Sequence, residues 1–85
     1  MQVEYKKRFQ KDFKKLPPRL KEQFYKRLEV FLKDKFDPTL SNHSVDKAFP
    51  GCRSINVTGD YRAVFVETGQ VATFITIGTH SELYG

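Results

Sequence analysis

Apolar positions change their period once along this chain, and the change divides it into two halves. From Lys6 onward, Phe9, Phe13 and Leu16 recur at spacings of four and three, one face of a helix. Lys7, Lys11, Lys14 and Lys15 fall largely off that stripe. Pro17-Pro18 ends the segment, because the first proline disfavours helical backbone at Leu16 and neither ring nitrogen can donate. Proline is tolerated in a first helical turn, so a second helix is expected from about Pro18 to Asp34, with Leu20, Phe24, Leu28 and Phe31 as its core stripe. Joined at the prolines, the two helices should form an antiparallel hairpin. Gln2–Tyr5 ahead of them reads as a short strand.

Asp37-Pro38 opens a polar, aperiodic stretch from Thr39 to Pro50, which reads as a connecting loop. At Gly51 the period becomes two. Cys52–Val57, Tyr61–Glu67 and Val71–Ile77 are rich in β-branched and aromatic residues, and Thr58-Gly59 and Thr68-Gly69 separate them at hairpin distances. The expectation is a three-stranded antiparallel meander, followed by a tail, Gly78–Gly85, too short for another full element. The fold class is therefore α+β in a single domain, 1–85: a short N-terminal strand and an antiparallel helical hairpin packed on one face of an antiparallel β-meander. The other face should lie open, a shallow polar surface carrying Asn56, Arg62 and Thr76.

Charge follows the same division. Residues 1–47 hold thirteen Lys and Arg against seven Asp and Glu, whereas residues 48–85 hold two against three. A basic first half points to a polyanionic or acidic partner, nucleic acid or protein, although a solvated pair of lysine-rich helices would show the same count. With 85 residues there is no room for a large enclosed site, so chemistry must occupy an open face or a shallow groove. The one cysteine, Cys52, rules out an internal disulfide and a multi-cysteine zinc site, and reads as a small buried apolar group. No apolar run resembles a secretory signal or a membrane span, so a cytoplasmic protein with no membrane partner is expected.

The order of strand, helical hairpin, histidine-bearing polar loop and meander resembles the RelE/ParE toxin superfamily. Leu40-Ser41-Asn42-His43 is similar to the family's L-x-x-H before the second strand, and Val57-Thr58-Gly59-Asp60-Tyr61-Arg62 to its GDYR hairpin. Ile77-Gly78-Thr79-His80-Ser81-Glu82-Leu83-Tyr84-Gly85 is close to the ending of the YafQ-like branch. The resemblance covers essentially the whole chain. It implies a RelE-like fold and the toxin of a type II toxin–antitoxin pair. Such a toxin cuts mRNA on the ribosome, is neutralised by a cognate antitoxin, and reaches operator DNA only through the antitoxin complex. It also implies catalysis by His43, Asp60, His80 and Tyr84, with Arg62 on phosphate. Two positions depart from the YafQ-like pattern: Asn56 replaces a histidine, and Thr76 an arginine. Tyr61 stands where a tryptophan is usual.

These residue types suit RNA cleavage, since RNA carries its own nucleophile in the 2′-hydroxyl and needs no metal or cofactor. Histidine transfers protons near neutral pH. His80, directly after the last strand, is the first candidate for general acid or base, His43 the second, and Asp60 could orient an imidazole. Arg62 or Arg53 would supply positive charge to phosphate. Tyr61 or Tyr84 could stack on an unpaired base, and Asn56 would contact RNA from the sheet. Each has a plainer reading: His43 as a surface residue, Asp60 as a turn residue, Arg62 in a surface ion pair, Tyr84 as an anchor for the tail. A zinc site from His43, Asp60 and His80 lacks any motif spacing.

Two other functions fit the sequence. One is a catalytically weak relative kept as antitoxin partner and transcriptional corepressor, favoured by Asn56 and Thr76. The other is the gyrase-inhibiting branch of the superfamily, which the histidine-bearing tail disfavours.

Overall fold

The computed structural model describes residues 1–85, in the order β1 (Gln2–Tyr5), α1 (Lys7–Lys14), α2 (Pro18–Lys33), β2 (His43–Ser44), β3 (Arg53–Asn56), β4 (Tyr61–Thr68), β5 (Val71–Thr79) and α3 (His80–Tyr84). Strands β3, β4 and β5 form the expected antiparallel meander. β1 adds to it in parallel with β5, and β2 pairs antiparallel with the outer edge of β3. The result is one mixed sheet in the order β1-β5-β4-β3-β2.

The helical stripes identified by their period do bury. Phe9, Phe24 and Phe31 pack with Ile55, Ala63, Phe65, Ala72 and Phe74 of the sheet. Phe74 is the hub: its ring lies within 5.4–6.1 Å, centroid to centroid, of those of Tyr5, Phe9, Phe24, Phe31 and Phe65. Such tilted and edge-on aromatic pairs supply the apolar area that a small domain lacks elsewhere.

Phe74 and Ile77 both belong to this core, although they stand three positions apart along one strand. In a regular strand alternate residues share a face, so an odd spacing requires an extra residue. The pairing supplies it: Phe65 faces Phe74 and Val64 faces Thr76, which leaves Ile75 unpaired in a bulge. Beyond the bulge Thr76 shares the face of Val64, away from the core.

That second face is not the open surface expected from the sequence. Ser54, Val64 and Thr76 upon it are buried. α3 and the segment 45–50 lie across it, with the rings of Phe49 and Tyr84 6.2 Å apart. The tail likewise forms an element after all. Thr79 Oγ1 accepts from the Glu82 N–H at 3.1 Å, and Glu82 Oε1 accepts from the Thr79 N–H at 2.8 Å. This reciprocal capping box starts one helical turn. α3 then folds back over Gly78, where a Cβ would stand 3.1 Å from Glu82 Oε1 and 3.4 Å from Leu83 Cδ2.

The loop from Thr39 to Pro50 also contains the last two residues of a 3-10 turn, Pro38–Leu40, and strand β2. Asp37 caps that turn, accepting from the Thr39 N–H at 2.9 Å. The same bonds hold the Asp37 carboxyl below its ordinary range. Cys52 is half-buried rather than fully buried.

Candidate active site

Strand β2 and helix α3 meet across the second face, and between them runs a groove of about 500 Å³. His43 lines it from one wall, His80 and Tyr84 from the other, and Lys47 from the loop that follows β2. His80 and Tyr84 are one helical turn apart and so project on the same side of α3, their rings 4.8 Å apart and edge-on. The amide of His80 donates to the carbonyl of Asp60 at 3.0 Å, which pins the start of α3 to the β3–β4 turn.

His43 is fixed by its own turn. Its Nδ1 lies 2.7 Å from the carbonyl oxygen of Ser41, whose φ of 45° is left-handed. A carbonyl only accepts, so Nδ1 carries a hydrogen, and Nε2 is the atom free to gain or lose a proton. The loop beyond is tied by Asp46 Oδ1, which accepts from the Gly51 N–H at 2.6 Å. Tyr84 brings a hydroxyl that is buried and has no protein hydrogen-bond partner.

The remaining candidates divide. Asp60 sits exposed at the β3–β4 turn, joined to His80 through main chain and not through its carboxylate. Arg62 and Asn56 are cross-strand partners on the same sheet face as the groove. Arg62, however, turns its Nη1 onto its own hairpin, donating to the carbonyls of Thr58, Gly59 and Tyr61 at 3.0–3.3 Å.

Arg53 lies on the opposite face. Its Nε donates to Asn42 Oδ1 at 2.7 Å, and its guanidinium stands 5.8 Å from the ring centre of Phe36. Tyr61 packs against the core, also away from the groove. The structure therefore gathers His43, His80 and Tyr84, ties Asp60 to the site only through its main-chain carbonyl, and leaves Arg53 and Tyr61 outside.

Lys47 and Phe49 were not singled out by the sequence, where their only signal is a place in the same polar loop as His43. Thr76 was expected on an open surface, but its side chain is 1 % exposed and its Oγ1 donates to Asp12 Oδ2 of α1 at 2.9 Å. Burial and the nearby Asp46 carboxylate raise the Cys52 thiol above its ordinary value of 9.0, which keeps it protonated and unreactive at neutral pH. No group of three or more His, Cys, Asp or Glu side chains is placed to hold a metal ion, and no helix is long and apolar enough to cross a membrane.

Solved structures share this architecture. YafQ from E. coli strain BL21(DE3) superposes with a TM-score of 0.82 at 21% identity, covering 98% of this chain and 97% of that one. A metal-bound toxin from Helicobacter pylori gives 0.75 at 22% identity over 99% of both chains. The RelB–RelE antitoxin–toxin complex from Methanococcus jannaschii gives 0.75 at 19% identity, over 96% of this chain and 95% of that one. No curated protein matches the sequence. The family model described as the ParE toxin of type II toxin–antitoxin systems, parDE, matches residues 3–84. With nearly its whole length matched and its fold shared with YafQ and RelE, the chain belongs to the ParE toxin family of type II toxin–antitoxin systems.

Proposed function

We propose that this toxin is a metal-independent endoribonuclease that cuts mRNA on the ribosome in the cytoplasm. A cognate antitoxin holds it in check, and it reaches operator DNA only in that antitoxin's company. The observation that carries this reading is the groove, in which His43 and His80, thirty-seven positions apart in sequence, share one open cleft with Tyr84.

Two imidazoles on opposite walls are what transfer to an internal nucleophile requires. His43 Nε2 accepts the proton of a 2′-hydroxyl as its oxygen attacks the adjacent phosphorus. The P–O5′ bond breaks, His80 gives its proton to the departing oxygen, and a 2′,3′-cyclic phosphate remains. Lys47 supplies positive charge as the phosphorane forms. The Tyr84 ring orients His80 by edge contact.

The test is cleavage of mRNA on programmed ribosomes by the purified protein, with His80→Ala and His43→Ala beside it. Wild type is expected to cut and to leave cyclic phosphate ends. Each histidine variant should lose roughly 100-fold or more, the scale of a general acid or base. Absence of cutting by a folded, ribosome-bound wild type would remove the reading.

A second reading, a catalytically weak partner that serves as corepressor, is favoured by Arg62 and Thr76. The first turns one guanidinium nitrogen onto its own hairpin, and the second is buried where the YafQ-like pattern has an arginine. That reading requires wild type and His80→Ala to be equally inert on RNA while the antitoxin complex still binds operator DNA. Inhibition of gyrase by wild type, without RNA cleavage, would instead place the chain in the gyrase-inhibiting branch.

A further inference from the structure

A second cleft, of about 350 Å³, adjoins the groove on the other side of α3. Leu83 and Glu82 of α3 face it, as His80 and Tyr84 face the groove. Its other wall is α1 and the residue that caps it, which contribute Arg8, Asp12 and Lys15. The four charged side chains balance formally, but both carboxylates are hydrogen-bonded within the fold and the cations are not. The carboxylate of Glu82 is engaged in the capping box. That of Asp12 accepts from buried Thr76. Lys15 makes no ion pair, and Arg8 reaches Asp12 only at 3.9 Å through Nε.

Arg8 is 61% exposed, yet it is held from two sides. Asp12 Oδ2 faces its Nε, and the ring of Phe49 lies 5.9 Å from its guanidinium carbon. Phe49 in turn touches Tyr84. An exposed ion pair of that length contributes almost nothing to stability, so folding does not account for the arrangement. The Asp12 carboxylate and the Phe49 ring flank the guanidinium and leave both Nη groups without a hydrogen-bond partner. A planar fork presented in that way matches the paired oxygens of a phosphodiester.

We infer that Arg8, with Lys15 beside it, is a binding subsite for a backbone phosphate flanking the scissile bond of RNA held in the His43–His80 groove. The inference rests on the proposed ribonuclease reading. Thr76 and Asp12 serve the subsite as a buttress: the buried hydroxyl sets the carboxylate, and the carboxylate sets the guanidinium. The positive charge that Thr76 does not supply, and that Arg62 turns toward its own hairpin, is thus delivered from the first helix.

The experiment measures binding of a short single-stranded 2′-O-methyl RNA, which cannot be cut, to the full chain. The variants are Arg8→Ala, Arg8→Lys and, as a charge-matched control, Lys33→Ala on the last turn of α2. Arg8→Ala should weaken binding about tenfold and lower the slope of log affinity against log salt by about 0.7, the loss of one phosphate contact on a single strand. Arg8→Lys should keep the slope but recover only part of the affinity, because the fork is lost. Lys33→Ala, which lines neither cleft, should change the slope by less than half as much as Arg8→Ala and the affinity by no more than about twofold.

A neutral methylphosphonate at the linkage Arg8 reads should weaken wild type and leave Arg8→Ala unaffected. Arg8→Ala behaving as Lys33→Ala, with helical content unchanged by circular dichroism, overturns the subsite. It does so even if unmodified RNA is cut normally. Wild type that cuts nothing but shows the Arg8-dependent slope overturns the nuclease reading and keeps the subsite. Failure of wild type to bind the 2′-O-methyl strand overturns both.

Discussion

Thr76 donates from the covered face of the sheet to Asp12 on the flanking helix, and its neighbours leave it almost no exposed area. The family resemblance alone would suggest that Thr76→Arg restores a missing arginine and raises the rate. The geometry gives the opposite expectation. A guanidinium at that position must either overpack a closed site or push Asp12 aside, at about 1–3 kcal/mol, and it removes the support of Arg8. Thermal denaturation should show a loss of roughly 4–8 °C for each kcal/mol in a domain of this size, with cleavage reduced as well. A faster variant of unchanged melting temperature would mean that position 76 opens to the groove. Nothing in the sequence marked Thr76 as buried, because its facing is set by the bulge at Ile75, and a one-residue insertion in pairing has no compositional signal. His43, His80 and Tyr84 were legible through the resemblance, and their chemistry through residue type. Arg8 was one basic residue among many, distinguishable only by what surrounds it in space.

At the scale of elements, the helices were readable because their aromatic stripes keep a helical period over two and four turns, and the meander because its turns carry glycine at hairpin spacing. The short elements were not readable. β2 is two residues long and exists only by pairing with β3. α3 is a single turn whose signal, Thr79-x-x-Glu82, lies in a tail that seemed too short to fold. That turn carries two of the groove's side chains, so its cap governs the site. Thr79→Ala should cost about 1 kcal/mol of local stability. Amide exchange should accelerate from His80 to Gly85 while β4 and β5 remain protected, and cleavage should fall. Retained activity with a frayed α3 would show that His80 and Tyr84 do not need the helix to be placed.

Across the whole molecule, the basic charge concentrates in the first half of the sequence, which also holds His43, while His80 and Tyr84 close the second, and the two adjoin in space. The helices carry the lysines, the sheet and its two short appendages carry the histidines, and α1 is where they meet. Counterion release should therefore dominate encounter with RNA. A log–log salt slope steeper than about −2, equivalent to roughly three phosphates on a single strand, is expected for a 2′-O-methyl strand titrated from low to moderate salt. An affinity independent of salt would assign the basic residues of α1 to solvation alone.

The pairing of Gln2 with Val71, first strand against last, also has a consequence in time. As the chain leaves a ribosome, the stripes of α1 and α2 can meet through Phe9, Phe13 and Phe24 but have no sheet to close on, because the ring on which both pack belongs to Phe74. Six residues after that ring comes His80. Synthesis thus delivers the centre of the core and the wall of the groove almost together, so a partly made chain holds neither.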